Sequence, residues 1–174
     1  MSDKEPLTNE KKIKLLMEID KNFRAPFILH AIVIEQMVGE IISRHFCSDE
    51  KKREEFFASI LNGGDITFHE KTQILHGILK RNYSTALKQY PKLIGRLDKV
   101  RRFRNRLAHA ALDLSDIDDV SENTEHITLA FYEDGVKKTH PISKDELQSR
   151  LEEAVNVMIE LHLISVEIHG KQLL

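Results

Sequence analysis

Ala25-Pro26-Phe27-Ile28-Leu29-His30-Ala31-Ile32-Val33-Ile34-Glu35-Gln36-Met37-Val38-Gly39-Glu40-Ile41-Ile42 is the longest apolar run in the chain, and how it is read decides the fold. His30, Glu35, Gln36 and Glu40 interrupt it. That is too polar for a membrane span and reads as a helix buried among other helices. Between Phe27 and Ile42 the apolar side chains go nearly all the way round, so the run asks for cover on more than one side. Pro26 falls in the first turn of a helix over residues 24–46, where its missing N–H costs nothing.

Working outward, residues 1–8 read as disordered and residues 10–19 as a short helix. Ser48-Asp49-Glu50 caps a helix running to about residue 61. Asn62-Gly63-Gly64-Asp65 is a turn. Thr67-Phe68-His69-Glu70 is a capping box that opens a helix to about residue 80. Pro91 opens a basic helix that ends near His109. Residues 126–132 alternate and favour a strand, Glu133-Asp134-Gly135 is a turn, and residues 136–141 supply the return strand. Ser143-Lys144-Asp145-Glu146 is a second capping box. It opens a last long helix with Leu147, Leu151, Ala154, Val155, Met158 and Leu161 on one stripe. The expectation is a mainly α protein. Residues 9–174 form one helical bundle, with a β-hairpin at about 126–142 inserted before the last helix.

Composition narrows the class. The chain has 174 residues, of which 41% are hydrophobic, enough for a core without disulfides. Its single cysteine, Cys47, excludes a disulfide framework and a cysteine-based zinc site within one chain. A reducing compartment, the cytoplasm, follows from that, and the polar start of the chain carries no signal-peptide pattern. The formal net charge of −2 names no partner, but its distribution does. Residues 80–106 hold Lys80, Arg81, Lys88, Lys92, Arg96, Lys99, Arg101, Arg102, Arg104 and Arg106, with Asp98 as the lone acid. Residues 107–135 hold no Lys or Arg, but eight Asp and Glu from Asp113 to Asp134. A basic block followed by an acidic one suggests a polyanion site beside a segment able to screen it, or else two solvated faces that balance.

On a helical wheel, Leu93, Leu97, Val100, Leu107 and Ala111 gather on one side of the basic helix, and Arg104 falls within that stripe. A charge there needs a partner or a wet interface. Glu35, at the edge of the long helix's apolar face, or another acid of that helix is the expected counter-charge. His109 lies ~7.5 Å further along the axis and roughly 140° away in azimuth on a straight helix. Either the helix loosens before His109, or a second copy of the chain completes the site. Of the other histidines, His30, His69, His126 and His140 read as surface or edge residues, and His45 and His162 as core.

Arg104-Asn105-Arg106-Leu107-Ala108-His109 resembles the Arg-x4-6-His motif of HEPN domains, including the polar residue that often follows the Arg. The stretch Val100-Arg-Arg-Phe-Arg-Asn-Arg-Leu-Ala-His looks like the motif helix of those proteins. Ile66-Thr-Phe-His-Glu-Lys-Thr-Gln-Ile-Leu is similar to a segment upstream of that helix in some HEPN-like groups, among them the mannitol operon repressor-like proteins. The resemblance covers about residues 24–112 and the last helix. It implies a four- to five-helix bundle that dimerises and brings two motifs into one cleft. Many such domains are metal-independent ribonucleases, often toxins or antiviral effectors. Others are binding or scaffold modules without activity.

The residue types suit RNA cleavage. RNA supplies its own nucleophile, the 2′-hydroxyl. A histidine such as His109 can move its proton, an arginine such as Arg104 can hold the phosphate through two prongs, and Asn105 can orient either. Arg101, Arg102, Arg106 and Lys99 are candidate RNA contacts. No cofactor and no metal is implied: His45 and Cys47 are close but lack the clustered ligands a metal needs. One expectation is therefore a metal-independent endoribonuclease, toxin- or defence-like, acting as a homodimer through the basic helix and the long apolar helix, with RNA as substrate and an antitoxin-like protein as partner. The other is a non-catalytic regulatory or scaffold protein, mannitol operon repressor-like, acting through protein contacts. No membrane partner is expected in either case.

Overall fold

The computed structural model describes residues 7–172, apart from the side chains of residues 169, 171 and 172. Most of the disordered start expected for the chain lies outside the described residues. Thr8 does not: its hydroxyl accepts from the Lys11 N–H and caps the first helix.

That helix, α1 (Asn9–Phe46), is continuous over 38 residues, about 57 Å at 1.5 Å per residue. The two helices expected over 10–19 and 24–46 are one, and Pro26 sits in its interior rather than its first turn. Nothing in residues 20–23 breaks the helix. Arg24 bridges the proline's neighbourhood, donating from Nε to Asp20 Oδ1 at 2.9 Å one turn earlier. Phe27, next to the proline, is buried and meets Phe103 edge-on with ring centroids 4.7 Å apart. These contacts offset the hydrogen bond that Pro26 forfeits.

A helix, α2 (Glu50–Phe56), starts at an Asp49 cap and widens into a π-helical turn over Phe57–Leu61. Gly63 and Gly64 then turn the chain. A Cβ on Gly63 would stand 2.5 Å from the Ser59 carbonyl oxygen, and Gly64 has φ of +95°, so both positions require glycine. Next comes α3 (Phe68–Asn82), opened by the expected capping box: the Thr67 hydroxyl accepts from the Glu70 N–H, and the Glu70 carboxylate accepts from the Thr67 N–H at 2.7 Å. A short helix, α4 (Ser84–Gln89), was not legible in the sequence. Pro91 lies in the turn before α5 (Leu93–His109).

The β region is a three-stranded antiparallel sheet, not a lone hairpin. Strands β1 (Ala111–Leu112), β2 (His126–Glu133) and β3 (Val136–Ser143) lie in that order. Asp134 and Gly135 both have positive φ (52° and 76°), as a two-residue hairpin turn of the right twist demands. Pro141 is accommodated because β3 is an edge strand. The sheet lays Ile127, Leu129 and Ile142 into the core. The last helix, α6 (Lys144–Gln172), is capped by Ser143, whose hydroxyl accepts from the Glu146 N–H at 3.1 Å.

The architecture is a mainly helical bundle with α1 at its centre, packed by α3, α5 and α6. The buried face of α1 runs through Leu16, Phe27, Ala31, Ile34, Val38, Ile41 and Ile42, spaced mostly by threes and fours. By length and composition α1 contains a window apolar enough to cross a membrane, with mean hydropathy 1.5. In this fold that segment is a core helix. The inward stripe of α6 is shifted from the expected one: Leu147, Ala154, Val157, Leu161, Ile164 and Ile168 are buried, while Val155 is exposed. His162, expected in the core, is exposed as well.

Candidate functional site

Beside the motif helix the bundle opens a cavity of about 650 Å³ with four walls. From α5 come Arg101, Arg104, Asn105 and His109; from the start of α3 come Thr67, Phe68, His69 and Lys71. Ile32, Glu35 and Gln36 of α1 form its floor, and Leu61 with the Asn62–Ile66 turn forms its rim. All three residues of the candidate catalytic set, Arg104, Asn105 and His109, therefore share one cavity in one chain. The helix does not loosen before His109, which is its last residue. The width of the cavity spans the azimuthal offset instead.

The position of Arg104 differs from the wheel. The buried stripe of α5 is Leu93, Leu97, Val100, Phe103 and Leu107. Phe103, omitted from the expected stripe, extends it on the side away from Arg104, roughly 80° from Leu93, while Arg104 is half-buried and lines the cavity. Its Nη1 donates to Asn105 Oδ1 at 3.1 Å. Among the described residues Arg104 has no ion pair. The expected pairing with Glu35 is not formed: Glu35 Oε1 lies 2.7 Å from Lys71 Nζ, and Lys71 also reaches Asn62 Oδ1 at 3.5 Å. The Lys71 side chain is 4% exposed, so the cavity wall contains a buried cation held by a carboxylate of α1.

The other basic residues separate. Arg101 lines the cavity but is paired with Asp98 at 2.7 Å. Arg102 is exposed on the far side of the same carboxylate, also at 2.7 Å. Between them they hold the Asp98 carboxyl below the usual carboxylate range, chiefly through the Arg101 hydrogen bond. Arg106 lies over the Phe131 ring of the sheet, 5.6 Å from its centroid, and Lys99 is exposed; neither lines the cavity. Arg96 turns away to α6, where it binds Glu153 at 2.6 Å and Glu160 at 2.5 Å. Much of the basic block is thus internally neutralised, and Arg104 stands out as the half-buried cation left to a ligand.

The acidic segment does not screen the cavity. Asp113 is paired with Lys137 at 3.1 Å, and Asp118 accepts through its carbonyl from Lys12 at 2.9 Å. The groove that 113–128 lines includes Leu16 of α1. That is about 24 Å along the helix from Ile32.

The end of α5 is held from outside. Arg24 Nη1 donates to the carbonyls of Leu107 at 2.7 Å and Ala110 at 2.6 Å. These are among the carbonyls that a helix end leaves without intrahelical partners. The last turn, which carries His109, is thereby tied to the central helix.

Sequence reasoning missed two ionisable residues of the cavity, Lys71 and His69. In the sequence His69 reads as a surface or edge histidine. The one local signal was the capping box, which places residues 67–71 on the first turn of a helix without saying what that turn faces. Among the described residues no group of three or more His, Cys, Asp or Glu is placed to hold a metal ion. The chain matches no known family model, no curated protein and no solved structure.

Proposed function

We propose that this protein is a metal-independent endoribonuclease of the HEPN type, cytoplasmic and working as a homodimer, in which Arg104 binds the scissile phosphate, His109 transfers a proton and Asn105 orients Arg104. The observation that carries this reading is the half-buried Arg104. Among the described residues it lacks a carboxylate partner, and it shares an open cavity with His109. A guanidinium in that setting is matched by a phosphodiester, which accepts its two prongs and replaces the missing counter-charge. The resemblance of Arg104–His109 to the HEPN motif adds to it. Exposed Leu29 and Ile32 on α1, the latter at the cavity floor, favour a second copy docking over this face.

The test is cleavage of single-stranded RNA in excess EDTA, with 2′,3′-cyclic phosphate ends as product. DNA, which lacks the attacking hydroxyl, should be spared. Arg104→Ala and His109→Ala should each lose on the order of 10²–10⁴-fold in rate while melting near the wild-type temperature. Arg104→Lys should rescue poorly. No cleavage of diverse RNAs by the wild type would reject the enzyme reading, and a stable monomer at tens of micromolar by light scattering would reject the dimer.

One feature favours a second reading, the regulatory or scaffold protein. Val155, Ile159, Leu163 and Val166 form an exposed apolar row on α6, between 41% and 57% exposed. Such a row suits a protein partner, such as an antitoxin, and needs no catalysis. An inert wild type that binds a protein through this row would replace the first reading.

A further inference from the structure

We propose that His69 is the second proton-transfer residue of this site, so that one chain carries a complete cleavage constellation: His69 and His109 on two different walls of the cavity, with Arg104 lining the same space. This rests on the ribonuclease reading and deepens it. An in-line displacement at phosphorus puts the attacking oxygen and the leaving oxygen on opposite sides. An imidazole on a single wall is placed for one of them. The cavity is lined by His69 from α3 and by Arg104 and His109 from α5. A phosphodiester held within it lies within reach of side chains from both α3 and α5.

The two histidines stand on different helices of the cavity. His69 is the second residue of α3, and the carboxylate that follows it, Glu70, is fixed by the capping box. The Thr67 hydrogen bonds hold Glu70 below the usual carboxylate range, with a smaller contribution from attraction to His69. His109 is the last residue of α5. Both histidines are exposed, and among the described residues neither ring has a hydrogen-bond or ion-pair partner, so their nitrogens are open to a substrate.

The step balances with no further reactant. The 2′-hydroxyl gives its proton to His69, and O2′ bonds to phosphorus. The P–O5′ bond breaks, and His109 gives its proton to O5′. The products are a 2′,3′-cyclic phosphate and a 5′-hydroxyl. Arg104 meets the non-bridging oxygens, while Lys71 and Arg101 line the same cavity already paired with Glu35 and Asp98.

The experiment compares His69→Ala, His109→Ala and the wild type on a short single-stranded RNA and on the same RNA with sulfur in place of the 5′ bridging oxygen at the cut site. A thiolate leaves without a proton, so this substrate bypasses the general acid. Each variant should lose on the order of 10²–10⁴-fold on the normal RNA. The sulfur substrate should restore His109→Ala and leave His69→Ala slow, a split that a purely structural role for either residue does not produce. An equimolar mixture of the two variants should cleave no faster than the two measured apart, because each chain carries both groups. If the wild type cleaves and His69→Ala keeps its rate, His69 has no such role, although the ribonuclease reading stands. Recovery of activity in the mixture would place the second group on another copy and overturn the single-chain site. A wild type that cleaves no RNA would overturn both.

Discussion

Replacing Lys71 by Met tests whether the cavity wall is built on its ion pair. Lys71 Nζ is 2.7 Å from Glu35 Oε1, and the two side chains are 4% and 22% exposed. Methionine keeps most of the aliphatic stem and removes the charge, leaving Glu35 without a cation. Removing one partner of a fully buried pair costs about 3–5 kcal/mol. Glu35 lies on the floor of an open cavity, where water reaches its carboxylate, so the structure supports a smaller loss, about 2 kcal/mol. For a chain of this length that is a fall in Tm of about 4–8 °C. The assay is thermal unfolding followed by circular dichroism, with urea midpoints as a check. Glu35→Gln in the Lys71→Met background removes the stranded charge and should recover about half of the loss or more, because the two residues act as a unit. A Lys71→Met variant as stable as wild type would refute the reasoning. So would a double variant no more stable than Lys71→Met alone.

Arg96→Ala should destabilise by about 2–3 kcal/mol, since it strands Glu153 and Glu160 of α6 together. Adding Glu160→Gln should recover part of that in the same urea titration, and a change under 0.5 kcal/mol would show that the bridge contributes little. The second expectation concerns acid. Hydrogen bonds to Thr67 hold Glu70 below the usual carboxylate range, so its contribution is fully present above the unfolded value of about 4.3 and is lost as pH falls through its folded value. Glu70→Gln should therefore be less stable than wild type at pH 6, with the gap closing toward pH 3; a gap independent of pH would exclude the carboxylate as its source.

The sequence by itself determined the helical elements wherever their signals lie within one turn. Thr67 and Glu70 are three residues apart, and their capping box fixes the start of α3 at the expected residue. Asp134-Gly135 similarly fixes the hairpin, because only those residue types take two positive φ angles easily. The motif of Arg104, Asn105 and His109 was legible as residue types on a basic helix. Tertiary structure decided what those residues face. Lys71 and Glu35 are 36 positions apart, and no periodicity on either helix announces their contact. Pro26 reads locally as a helix start, yet Arg24 and Phe27 hold the helix through it by contacts with α5, more than 70 residues away. Strand β1 is two residues long, too short for an alternating pattern, and exists only because Ala111 and Leu112 find Ala130 and Leu129. The dispersal of the basic block follows the same rule. A charge run records how many cations a helix carries, whereas the packing of α6 behind Arg96 and of the sheet beneath Arg106 decides which remain for a ligand. Local chemistry acts over about four residues; the cavity is made by helices that meet across the whole chain.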